Sequence, residues 1–226
     1  MELYELEKLI KDGVGDVDLR PAEIPSIDLY VDQITSLTTE KLNQGAERFR
    51  DRVLTKTMIN NYSKDGLISP IKGKKYSKNQ ILQMLLVYSL KNTLSIGEIN
   101  RILQTVYQQP DYSPEMLEEI YGKFLDIKDM ERRDAFENFC QFVEKTELDL
   151  SNDSDYLTMI LSLASASAYL KSITQALLEA KYPEIDPEKE QQAREEQKKQ
   201  KKESKKEQKK EKKEAKKEAS DAKEQA

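Results

Sequence analysis

The chain has 226 residues, 37 basic against 42 acidic, and is long enough to bury a core in one or two domains. It holds no histidine and one cysteine, Cys140, which excludes an internal disulfide, a Cys/His metal cluster and the commonest general base. With no Walker loop, glycine-rich dinucleotide fingerprint or zinc spacing either, the sequence predicts no catalytic residue, no metal site and no cofactor.

Residues 1–23 read as an N-terminal segment. Leu3, Leu6, Leu9 and Ile10 share one face of a short helix over 1–12, which Gly13 and Gly15 end. Pro21 and Pro25 then mark an extended linker. The acidic start lacks the basic n-region and apolar run of a secretory signal, which points to a reducing, cytoplasmic setting.

Residues 24–105 read as a head built from helices. Ile27, Tyr30, Val31 and Ile34 form an apolar stripe on a first helix running from Ser26 to about Leu37. Helical pattern continues from Thr38 to Arg52, interrupted at Gly45. The next helix, Leu54 to Lys64, is capped by Thr55 or Thr57 and turns Met58, Ile59 and Tyr62 inward. Gly66 ends it as a left-handed residue, and Pro70 prevents it from resuming. A loop from Ile71 to Lys75 carries three lysines around Gly73. Ser77 with Gln80, and Ser95 with Glu98, are capping boxes that open two further helices with strongly apolar faces.

Charge singles out the middle of this head. Between positions 51 and 78 stand Arg52, Lys56, Lys64, Lys72, Lys74, Lys75 and Lys78 against Asp51 and Asp65, while the whole chain carries a net charge of −5. A local basic patch on an acidic protein is the electrostatic footprint of a nucleic-acid surface.

The order T-x-x-x-x-Y-x-x-x-G-L-I-x-P, a short basic loop, K-Y-S, a long helix and S-I-x-E-I resembles the winged helix–turn–helix of MerR-type regulators. Thr57, Tyr62, Gly66, Leu67, Pro70, Tyr76, Ser77 and Glu98 carry the likeness. More closely, the run from IPSIDLYVDQI through LTKTMINNY to SIGEI resembles a bacterial domain-of-unknown-function family, numbered eighteen thirty-six, with a MerR-like head. The likeness covers residues 24–105. Two features depart from the MerR pattern. About twenty residues separate Ile34 from Leu54, where such heads have a short step, and Asn60 and Asn61 stand where an arginine and a tyrosine are common.

The helix at 55–64 then reads as the recognition helix. Thr57, Asn60, Asn61 and Lys64 are its outward residues and the expected base contacts, asparagine being able to bond adenine bidentately in a major groove. Thr55, Lys56, Tyr62, Lys72, Lys74, Lys75 and Tyr76 are the expected phosphate contacts, which set register and affinity without reading sequence.

Beyond Asp111 the pattern changes. Ser113-Pro114-Glu115 starts a helix expected to run to about Phe124, and another follows over Asp129 to Glu147 with Phe136, Phe139, Cys140 and Val143 as its apolar face. Glu118 and Glu119 sit on a helix surface without a catalytic partner, and Cys140 reads as a buried, inert thiol. The longest helix, Asn152 to Ala180, is apolar nearly all round. Its serines, Lys171 and the short uninterrupted apolar run argue against a membrane span. Such a helix must be covered, and Ile160, Ala164 and Ala168 are the expected contacts with a second copy. Residues 111–182 are thus a helical dimerisation or effector module. Residues 188–226 form a Lys/Glu tail, a solvated single helix or a disordered segment.

The predicted architecture is all-α: a MerR-like winged head, a helical C-terminal module and a charged tail. The function it implies is a DNA-binding transcriptional regulator, a homodimer on double-stranded DNA with no membrane association. The alternative is a degenerate helix–turn–helix serving as a protein-interaction adaptor, favoured by the acidic balance of the chain outside its tail.

Overall fold

The computed structural model describes residues 3–71 and 73–183. The expected tail at 188–226 and Lys72 lie outside them. The architecture is all-α, with seven helices among the described residues and one short two-stranded ladder.

The first helix, α1, spans Leu3–Gly13. The segment after it packs rather than running free. Leu19 and Ile24 are buried, and a 3₁₀ turn forms at Pro21–Glu23. Strand β1, Leu29–Tyr30, precedes α2, Val31–Leu42. Here the expectation of a helix from Ser26 is corrected. Leu29 pairs with Tyr76 and Tyr30 with Lys75 in an antiparallel ladder, so extended backbone displaces the first helical turn, and Ile27 is exposed. The Tyr30 N–H donates to Gln33 Oε1 at 2.9 Å and closes the new helix start.

Gly45 interrupts the chain for a steric reason. A Cβ there would lie 2.9 Å from the Gly15 carbonyl oxygen, where the turn after α2 abuts the turn after α1. A 3₁₀ turn follows at Glu47–Phe49, then α3, Lys56–Lys64. Strand β2, Lys75–Tyr76, leads into α4, Lys78–Leu90, and α5, Ile96–Tyr107. Both capping boxes form. Gln80 N–H donates to Ser77 Oγ at 3.4 Å, and Glu98 N–H donates to Ser95 Oγ at 3.2 Å.

Helix α4 is the axis of the core. Ile81, Met84 and Val87 are fully buried along it and share one cluster with Ile34 of α2, Ile59 of α3 and Ile99 of α5. Each such side chain contributes about 1.5–3 kcal/mol by leaving water.

Helix α6, Pro114–Thr146, runs 33 residues without a break, where two helices were expected. Nothing in Leu125-Asp126-Ile127-Lys128 stops a helix, and the residues there are needed in register. Leu117, Tyr121 and Leu125 repeat every four positions and enter the same core as α4. No packing break therefore separates 24–105 from 111–182, and the first third of α6 belongs to the head.

Further along the same face, Lys128 and Arg132 tie α6 to the N-terminal segment by charge. Lys128 Nζ lies 2.5 Å from Asp16 and 2.9 Å from Asp18. Arg132 reaches Asp16 at 3.0 Å, Asp129 at 2.6 Å, and Asp18. Arg20 binds Asp126 at 2.8 Å and also Asp129.

The last described helix, α7, spans Asp153–Lys181 with Asn152 as its cap. By length and composition it is long and apolar enough to cross a membrane. Only Met159 and Leu178 of its residues are buried. Cys140, on α6, is half-buried.

Candidate nucleic-acid interface

Helix α3 is amphipathic for a local reason. Thr55 caps it, its Oγ1 accepting the Met58 N–H at 3.2 Å. Ile59 and Tyr62 face the core, while Thr57, Asn60, Asn61 and Lys64 recur at i, i+3, i+4 and i+7 and are all exposed. The far end is a Schellman motif. Gly66 takes φ +73, its N–H donates to the Ser63 carbonyl at 3.3 Å, and Leu67 N–H donates to the Tyr62 carbonyl at 2.9 Å. Burial of Leu67 beside Tyr62 pins the turn. The exposed polar edge is therefore presented from both ends by fixed backbone.

Two glutamines of α4 hold the chain that follows. Ser69 N–H donates to Gln83 Oε1 at 2.8 Å, and Gln83 Nε2 donates to Ser69 Oγ at 2.9 Å. Gln80 Nε2 donates to the carbonyls of Ser69 and Pro70 at 3.1 and 3.0 Å. Both glutamines are buried, so each bond replaces water that the site excludes. Sequence reasoning assigned Gln80 only a cap and passed over Gln83. The available signal was an amide inside the apolar run QILQMLLV.

The ladder then brings the basic loop beside the start of α3. Lys75 Nζ stands 4.9 Å over the Tyr30 ring. Two residues beyond Tyr30, Asp32 pairs with Lys56 in the first turn of α3. A loop lysine and the N-terminus of α3 thus flank one short stretch of chain, 30–32. Thr55, Lys56, Lys74 and Lys75 are all exposed.

The basic residues are not equally available. Lys56 is shared with Asp32, and Lys78 is held by Glu118 of α6 at 2.7 Å. Arg52 lies 4.6 Å over the Phe49 ring. Lys64 and Lys74 have no ion pair among the described residues. Two expected phosphate contacts are corrected. Tyr62 and Tyr76 are core residues, about 5% and 6% exposed, because the inward face of α3 and the inward position of the ladder carry them. The Tyr62 hydroxyl is buried without a hydrogen-bond partner, and burial pushes its pKa up. Of the expected dimer contacts, Ile160, Ala164 and Ala168 are all exposed on α7. No group of three or more His, Cys, Asp or Glu side chains able to hold a metal occurs among the described residues.

A family model described as Domain of unknown function (DUF1836) matches residues 19–124. The match covers 106 of the 226 residues, just under half of the chain. The matched stretch begins at buried Leu19 and ends in α6, so the DUF1836 domain takes in the helical segment whose Leu117 and Tyr121 complete the core. It also contains the edge of α3 and the basic loop. No curated protein and no solved structure matches the chain.

Proposed function

We propose that this protein is a cytoplasmic, DNA-binding transcriptional regulator whose head works as a MerR-like winged helix–turn–helix. One observation carries the reading. A solvent-facing edge of Thr57, Asn60, Asn61 and Lys64 lies on a helix whose first turn adjoins a basic two-stranded loop, the two joined through Tyr30 and Asp32. An α-helix fits a B-DNA major groove, and the amide of Asn60 or Asn61 suits the N6/N7 edge of adenine. Lys74 and Lys75 would take phosphates at the groove's rim, and Lys56 would do so by exchanging Asp32 for a phosphate oxygen. Two heads in a homodimer would read a two-fold site.

The adaptor reading has its own support, because Asp32 and Glu118 already neutralise two of the basic residues. Selection of bound duplexes from a random pool separates the two. The regulator reading expects an enriched sequence, and expects Asn60→Ala to relax one position of it by about 1–3 kcal/mol. An unenriched pool with intact protein would favour the adaptor.

A further inference from the structure

Helix α7 carries a face on which the described residues cover Met159 and Leu178 but leave six large apolar side chains exposed. Tyr156, Ile160, Leu163, Leu170, Ile173 and Leu177 lie within an arc of about 140° when the helix is unrolled at 100° per residue. All are exposed, from 38% at Tyr156 to 67% at Leu177. Four of them, Tyr156, Leu163, Leu170 and Leu177, recur every seven residues, a spacing that drifts only about 20° per repeat and that a shallow left-handed crossing of two helices absorbs.

The stripe is also symmetric about its own midpoint between Ala166 and Ser167. Reversing the helix about that point carries Tyr156 onto Leu177, Ile160 onto Ile173, and Leu163 onto Leu170. A perpendicular two-fold axis performs this operation on two antiparallel copies. An isologous interface must be self-complementary in this way, whereas a different partner imposes no such symmetry. We infer that α7 is the self-association surface, and that two copies of this chain pair along it antiparallel, crossing at Ala166 and Ser167. The inference names the interface of the dimer proposed above and rests on that reading only for its use on DNA.

Three features support this occupant over others. The crossing point falls in the run Ala164-Ser165-Ala166-Ser167-Ala168, small enough for close approach of two backbones. The stripe holds no charge, and the charges nearest its ends are opposite in sign: Asp153 and Asp155 at the start, Lys181 at the finish, with Glu179 turned to the other side of the helix. Antiparallel pairing sets each acidic start beside the other copy's Lys181 and opposes the two helix dipoles, while parallel pairing stacks like charges. The stripe from Tyr156 to Leu177 is about 33 Å long, and a seam of that length closes on the order of 600 Å² per copy, within the range of specific stable interfaces.

A bilayer suits the helix less well. The uncharged run between Asp155 and Lys171 spans about 22 Å, short of a hydrocarbon core of about 30 Å. Leu178 is buried in the core of the head, and Gln175 Nε2 donates to Glu98 Oε1 of α5 at 2.8 Å. The same helix is thereby part of the head's own packing.

The test uses the full chain without DNA, so it stands apart from duplex binding. Light scattering after gel filtration should give twice the chain mass, and Leu163→Glu with Leu170→Glu should weaken self-association by about 100-fold with unchanged helicity, both sites being exposed. In a Cys140→Ser background, a mixture of Leu163→Cys and Leu170→Cys proteins should form a mixed disulfide, and neither should cross-link well alone. A single-chain mass at about 100 µM would overturn the inference. So would efficient cross-linking of each variant with itself, or co-flotation of the wild type with phosphatidylglycerol/phosphatidylcholine vesicles.

Discussion

Replacing Arg132 by methionine removes the charge at the centre of the ionic network while keeping most of the side chain's apolar stem. The guanidinium meets Asp16, Asp18 and Asp129, and its side chain is only 17% exposed, that of Asp18 15%. Breaking a fully buried pair costs about 3–5 kcal/mol, and an exposed pair is worth about 0–1 kcal/mol. Lys128 remains beside both aspartates, so the cost should fall between these limits, at about 2–3 kcal/mol. For a folded unit of this size that lowers Tm by about 4–12 °C. Urea unfolding followed by circular dichroism measures it. Asp18→Asn in the Arg132→Met background should cost at least about 1 kcal/mol less than it does alone, since the two acids and their partner act as one network.

The pH dependence gives an independent check. Burial works to raise the pKa of Asp16, but hydrogen bonds and charge from Lys128 and Arg132 outweigh it and hold the carboxyl below its ordinary range. Asp129 behaves likewise: burial opposes, and bonds from Arg20 and Arg132 prevail. A depressed folded pKa means stability that is fully present above the unfolded value, about 3.9, and lost as pH falls through the folded one. The gap between wild type and Arg132→Met should therefore be widest above pH 5 and narrow as pH falls below about 4. A cost under about 0.5 kcal/mol at neutral pH, with no narrowing in acid, would show the network to be solvated decoration and the 16–20 segment to be held by Leu19 alone.

Other consequences are open to direct measurement. Tyr62→Phe deletes a buried hydroxyl without a partner, so stability should stay level or rise by up to about 1 kcal/mol, with duplex affinity unchanged; a severalfold loss of affinity with intact fold would restore Tyr62 as a contact. Gln83→Leu strands the Ser69 N–H and should cost about 2 kcal/mol and speed hydrogen exchange at that amide; a cost near zero would mean water reaches the turn. Glu98 is held at about 2 by the Ser95 N–H, then by the Gln175 amide and the Ser95 hydroxyl, so what it adds to stability is lost as pH falls from about 4.5 toward 2. In a Gln175→Leu variant its NMR titration should move up toward the ordinary 4.5, and an unmoved curve would detach α7 from α5.

What the sequence disclosed follows from the range of the forces involved. The Ser77, Ser95 and Ser113 caps and the Gly66 terminus were legible because each is satisfied within a few residues of itself. So was the outward edge of α3, a matter of helical period alone. The ladder at Leu29–Tyr76 was not, because two-residue strands leave no alternation to read and the pairing spans some forty-five positions of chain. The unbroken α6 was missed because its ion pairs to Asp16 and Asp18 lie more than a hundred residues away. Tyr62 and Tyr76 looked amphipathic in sequence, and only packing shows that both rings are buried and that the Tyr62 hydroxyl is buried with its ring.

The central claim is that the α3 edge and its neighbouring lysines meet a polyanion together. A salt titration of duplex binding by the wild type and by Lys74→Ala with Lys75→Ala tests it most directly. The wild type should bind duplex DNA in dilute buffer. The slope of log affinity against log salt should fall by about two in the double variant, near 0.9 for each phosphate that a lysine no longer neutralises. Failure of the wild type to bind any duplex at about 20 mM salt, or an identical slope in both proteins, would contradict the account.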